Sequence, residues 1–269
     1  MPRFITFLTD FGLQDDFVGV CHGVMKRIAP DAEIVDLTHG LEPGAVLQGA
    51  LVLANTLPYV PAGVHLAVVD PGVGSIRRPL ALRDAEGRFF VGPDNGLLVP
   101  AAEQAGPLAA AHELANPAYA LEPVSRTFHG RDLFSPAAAH LANGVELADL
   151  GPPLHPDALV RLDLPEPSAR ADRIRATVLY VDRFGNVALN LTRMHLEPAQ
   201  IVPGTTVELE LRGDRYHAVA ARTFADARSG DLILYEDSYR NVAIAVSNGD
   251  AAQLLRVRAG DDVLVRPPT

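Results

Sequence analysis

The chain has 269 residues, enough for one large domain or two ordinary ones around a substantial core. Its 33 acidic against 23 basic residues leave a formal net charge of −10, a field that repels nucleic acid and anionic membrane, so neither is an expected partner. A single cysteine, Cys21, excludes an intrachain disulfide and a Cys-based metal site, and fits best as a small buried apolar residue.

No stretch approaches the ~18 apolar residues of a membrane span. The opening FITFL run is also too short for a signal-peptide core, so a cytoplasmic protein is expected. In chain order, RFITFLT, EIVDLT and VHLAVVD are short β-type runs. Between them, DDFVGVCHGVMKRIAP places Phe17, Val20, Val24 and Ile28 on one helical stripe and stops at Pro30. Gly19 and Gly23 on that helix would let another backbone approach closely. GAVLQGALVLANTL is a second apolar helix. Alternating strands and helices predict an α/β N-terminal domain, residues 1–162, with a mostly parallel sheet. PLALRD and RFFVG predict a hairpin or strand pair.

Residues 163–173, DLPEPSARAD and the residue after it, have the Pro-rich, charged composition of a linker. Residues 174–269 then supply ATVLYVD, NVALNL, TTVELELR, YHAVAA, DLILYE, NVAIAV, LLRVRAG and DDVLVR, punctuated by Gly-Asp turns. Regular short strands of this kind predict a C-terminal all-β barrel domain.

Some strings imitate familiar signatures. Gly72-Val73-Gly74 follows a strand, but the third position of a dinucleotide fingerprint is Arg77, and a strand rather than a helix comes next. Asp10-Phe11-Gly12 and His129-Gly130-Arg131-Asp132 lie in the reverse of kinase order. No histidine pair has H-x-H, H-x-x-x-H or H-E-x-x-H spacing, so no metal site is expected unless ligands converge from distant loops.

What remains is a set of polar residues at strand ends and loops. Asp10 in TDFG and Asp70 in VVDPGVGSIRR each close a strand, and in open α/β sheets ligands bind beyond the carboxyl ends of strands. An Asp before Pro-Gly is equally a common turn residue that bonds its own backbone. His129, in TFHGRD, precedes RDLFSPAAAHLANG, a helix whose first turn holds Arg131 and Asp132.

Taken together, TDFG, IVDLTHG, VVDPGVGSIRR, VGPDNGLL, VSRTFHGRDLFSPAAAHLANG and YVDRFGN resemble the S-adenosyl-L-methionine (SAM) hydrolases, or SAM hydroxide adenosyltransferases. These enzymes are related to fluorinases and chlorinases. The likeness runs through nearly the whole chain, with the motifs in the same order. It implies an N-terminal α/β domain, a C-terminal β-barrel and a homotrimer with the site between subunits. It also implies the reaction, SAM plus water giving adenosine and methionine, with no cofactor. The family's Asp-Arg-His set falls on Asp70, Arg77 and His129. Asp10 is then expected at the ribose hydroxyls, Asp182 and Asn186 at the methionine and adenine ends, and Ser238 and Asn248 on loops that bind adenine or the methionine carboxylate.

The chemistry suits those residues. His129, with an ordinary pKa near ~6.5, is able to take a proton from water at neutral pH. Arg77 is suited to holding the water and stabilising developing hydroxide charge. Asp70, beside Arg77, is assigned to positioning rather than to proton removal. Three other readings are open: a halide-using relative, a non-catalytic SAM- or adenosine-binding module, and a metal-dependent nucleotide hydrolase. The halogenating enzymes lack the Asp-Arg-His set, so its presence favours water.

Overall fold

The first apolar run folds as β1 (Phe4–Thr9), whose last five residues are buried. It belongs to a computed structural model that describes residues 4–163 and 165–267. Arg3, at the start of the first expected strand, and Leu164, in the expected linker, lie outside the described residues. The chain divides into two units, residues 1–162 and 163–269.

In the first unit β1 leads through α1 (Phe17–Ile28) to β2 (Glu33–Thr38), then through α2 (Val46–Thr56) to β3 (Val64–Val68). β4 (Pro79–Arg83), β5 (Phe89–Pro93), the short α3 (Val99–Ala102), β6 (Ala110–Glu113) and α4 (Ser135–Ala142) follow. The strands form one sheet in the order β2-β1-β3-β5-β4-β6. β1 pairs in parallel with β2 and β3, and β3 with β5. β4 runs antiparallel to β5 and β6, so PLALRD and RFFVG do form a strand pair and the sheet is mixed.

Side chains alternate across the sheet and bury a core on each face. Ile5, Phe7 and Leu66 pack against Cys21 and Met25 of α1 and the alanines of α4. Leu8 and Ala67 face Leu53 of α2 on the other side. Thr9 stands opposite Val68, so β1 and β3 end side by side and present Asp10 and Asp70 at the same sheet edge.

Two expectations for α1 need correcting. Its buried stripe is Val18, Cys21, Val24 and Met25; Phe17 is 42 % exposed, and Val20 and Ile28 are only partly covered. Among the described residues nothing lies within 4 Å of where a Cβ would stand on Gly19 or Gly23, so none of them makes the close approach there. Of the expected stripe Val24 is buried and Ile28 packs against the core, whereas Phe17 turns toward the loop aromatics Phe11 and Phe128.

The second unit contains β7 (Ser168–Ala169), β8 (Ile174–Val181), β9 (Val187–Thr192), β10 (Thr206–Leu211), β11 (Asp214–Ala220), β12 (Leu232–Glu236), β13 (Asn241–Val246), α5 (Ala251–Leu255) and β14 (Asp262–Arg266). Pairing of β14 with β8 closes a seven-stranded barrel, and β7 adds to β8 from outside the ring. Alternate residues such as Val207, Leu209 and Leu211 fill its interior. LLRVRAG is not a strand. Asp250 accepts the Gln253 N–H at 2.7 Å, caps α5, and draws the first residues of that run into the helix.

Candidate active site

β3 stops at Val68, and the Pro-Gly-Val-Gly turn brings the chain back so that Arg77 faces Asp70. The Arg77 Nε donates to both carboxylate oxygens of Asp70 at 3.0 Å, and Nη2 adds a shorter bond to Oδ2. Both side chains are buried, with 8 % and 5 % exposed. Asp70 therefore uses its carboxylate on Arg77 and not on its own turn. The same Nη2 donates to Nδ1 of His129 at 2.7 Å. Residues 70, 77 and 129 thus form one connected group, and the guanidinium is its centre.

Several neighbours hold this group in place. Gly74 has φ +77°, and a Cβ there would stand 2.5 Å from the Arg126 carbonyl oxygen, so the turn meets the 124–131 loop only as glycine. Arg77 lies over the buried Phe134 ring, 5.1 Å from its centroid. The adjacent Arg78 goes elsewhere and donates through Nε to Asp94 at 2.9 Å. Asn95 donates to the Val69 carbonyl at 2.8 Å and pins the end of β3. Asp94 and Asn95 belong to VGPDNGLL, a motif to which sequence alone assigns no role. Only their contacts across the fold reveal that they position the 70–78 turn.

His129 sits at the entrance of a π-type turn, Gly130–Phe134, which runs into α4. The expected helix therefore begins with one wide turn, a feature often found at functional sites. Asp132 is buried and accepts from the Ser125 N–H at 2.8 Å and the Arg131 side chain at 2.6 Å. It ties the loop shut from within the first turn of the helix.

Burial, and then the neighbouring Arg77 charge, lower the pKa of His129, with Asp70 opposing. The ring is neutral near pH 7. Because a guanidinium only donates, Nδ1 must be the bare nitrogen and Nε2 carries the proton. Arg77 also has a buried Nη1 with no hydrogen-bond partner. The group therefore combines a spare cationic donor with an imidazole lone pair. Cys21, its thiol pushed up to about 11 by burial, is not a nucleophile.

Asp10 ends β1 at the same edge and accepts the Gly44 N–H through Oδ2 at 2.7 Å. The four polar candidates of the barrel lie on turns. Asp182 accepts the backbone N–H groups of Phe184 and Asn186 through Oδ1, and the Asn186 side chain through Oδ2 at 2.8 Å. Asp182 and Asn186 are thus brought together, bonded to each other in an Asx-type turn. Gly185 has φ +79° there, and a Cβ would collide with the Asp250 carboxylate. Asp237 builds the same turn with Tyr239 and Asn241, leaving Ser238 exposed on it. Asn248 is exposed with φ +58°, on the turn between β13 and α5. Ser238 and Asn248 have no side-chain partner that joins them to Asp182 or Asn186 among the described residues. Phe184, between Asp182 and Asn186, is 76 % exposed and was not singled out from the sequence.

Comparison with known proteins adds to this geometry. Residues 5–151 match the SAM hydroxide adenosyltransferase N-terminal domain, and residues 176–264 match its C-terminal domain. An (R)-S-adenosyl-L-methionine hydrolase of Salinispora arenicola is 51% identical over 97% of both chains. A fluorinase of Nocardia brasiliensis is 31% identical over 97% of this chain and 96% of its own. The crystal structure of an uncharacterized conserved protein from Thermotoga maritima superposes with a TM-score of 0.88 at 37% identity, covering 97% of this chain and 99% of that one. With both of its units matched in order, the chain belongs to the SAM hydroxide adenosyltransferase family.

Proposed function

We propose that the chain hydrolyses SAM to adenosine and L-methionine. The observation that carries this reading is the Arg77 guanidinium held between Asp70 and His129, with Nη1 left over. Water takes the place of the direct Nη2–Nδ1 contact: its oxygen accepts from the guanidinium, and its proton faces the bare Nδ1 of His129. The water oxygen attacks the ribose 5′ carbon as the carbon–sulfur bond breaks. The bonding pair leaves with sulfur, which departs as the neutral thioether of methionine, and the proton goes to His129. Asp70 fixes the guanidinium fork. Hydroxide-like oxygen meeting a sulfonium cancels charge, which a dry site with fixed dipoles favours over bulk water.

Asp10 is assigned to the ribose hydroxyls, where one carboxylate can accept from a vicinal diol. Asp182, Asn186, Ser238 and Asn248 are assigned to the methionine and adenine ends, with the exposed Phe184 ring as a face for the purine. The protein acts without a resident cofactor, in the cytoplasm, as a homotrimer with the site between subunits. The name of the Salinispora relative specifies the R sulfonium epimer, and the same preference is proposed here.

The test is product mass after incubation with SAM and chloride. Adenosine and methionine are expected. A 5′-chlorinated nucleoside would assign the chain to the halide-using chemistry, and intact SAM would leave only a binding module.

A further inference from the structure

The packing of α1 beside β2 brings one histidine of the helix to two polar side chains at the end of the strand. His22 of α1, Asp36 of β2 and His39, one residue past β2, place their ligand atoms within 4.8 Å of one another. Asp36 Oδ1 stands 2.8 Å from His22 Nε2 and 3.1 Å from His39 Nε2. We propose that these residues form a binding site for a divalent first-row transition ion, with Zn2+ as the natural probe.

Four observations support it. His39 has 3 % of its side chain exposed, yet its Nε2 has no hydrogen-bond partner, since the nearby Asp36 oxygen lies outside bonding geometry. An orphaned buried nitrogen calls for a ligand. On its other side Nδ1 meets the Thr9 hydroxyl at 2.8 Å, the kind of outer contact that orients a metal-binding imidazole. The Phe7 ring packs against both imidazoles and limits their rotation. Finally, two imidazoles and one carboxylate are the donor set that suits zinc-like ions, and tetrahedral bonds of about 2.0–2.1 Å put ligand atoms about 3.3 Å apart, against 2.8 and 3.1 Å for two pairs and no more than 4.8 Å for the third.

His22 and Asp36 are 32 % and 41 % exposed, which gives an ion a path from solvent and leaves room for water ligands. A bound ion would tie α1 and β2 to the end of β1. It would also steady the loop after Asp10, because the Gly12 N–H donates to the His39 carbonyl at 2.7 Å.

The test uses the full chain, stripped with chelator and titrated with Zn2+ by calorimetry and with Co2+ by visible absorption. One ion per chain, ligand-field bands and a raised melting temperature are expected. His22→Ala and Asp36→Asn, both at exposed positions, should each weaken binding at least 10-fold. His155→Ala, at an exposed histidine outside the group, should not. No saturable binding by the unsubstituted chain, or equal binding by the His22 and Asp36 variants, would overturn the proposal.

Discussion

The two units bury very different things. Among the described residues the N-terminal unit buries eight polar or charged residues whole, including His39, His65, Asp94 and Asp132, and also the side chains of Asp70 and Arg77, whereas the barrel buries one residue, Ser247. The barrel interior is otherwise a continuous apolar cluster from Ile174 to Val265. A buried polar group costs stability unless its partners are built around it. In the N-terminal unit such partners are present, as where Asp132 accepts from Ser125 and Arg131 and where Asp70 pairs with Arg77. The barrel keeps its polar candidates on exposed turns, where Asp182 and Asn186 satisfy each other. Under the proposed function the chemistry lies in the first unit, and the second offers recognition surfaces on a simple scaffold.

The largest expected effect tests where the chemistry lies. Arg77→Ala removes the donor at the centre of the group and leaves Asp70 buried and unpaired. Turnover of SAM should fall about 10²–10³-fold, and stability by about 3–5 kcal/mol. Asp70→Asn keeps the shape and should fold while still losing most activity. Steady-state kinetics with circular dichroism separate the two effects. Near-normal turnover in both variants would place the chemistry elsewhere.

A smaller effect separates the units by pH. Burial lowers His65 to about 4, with Arg88 adding to the shift and Asp84 opposing it. The unfolded chain binds a proton near ~6.5, so the stability tied to neutral His65 is present above that pH and is lost as pH falls toward 4. The loss is on the order of 3 kcal/mol and belongs to the N-terminal unit. His39 shifts in the same direction and adds to it. Hydrogen exchange, corrected for intrinsic rates, should show β1 and β3 losing more protection between pH 7 and pH 4.5 than β12 and β13. Equal losses in the two units would break the comparison.

How much of this the sequence reveals depends on the range of the contact. Strand runs, the second helix and the β4–β5 pair follow from local periodicity and turn residues, and the barrel from regular strand spacing. Asp70 and Arg77 lie seven residues apart around a glycine turn, so their meeting was legible once the motif was recognised. The covered face of α1 was legible only in part, because Phe17 is as apolar as Val18 and Met25, and only packing decides that Phe17 is left outside. LLRVRAG misled because the Asp250 cap outweighs the strand propensity of two leucines and a valine. The His22–Asp36–His39 group was invisible for a similar reason: Asp36 and His39 are near in sequence, but only packing brings His22 of α1 to them.

The most direct test of the account is the fate of oxygen when SAM is turned over in oxygen-18 water. Attack at the ribose 5′ carbon by a water held between Arg77 and His129 predicts one labelled oxygen in adenosine, at the 5′ position, and none in methionine. Unlabelled adenosine, or label recovered in methionine, would contradict it.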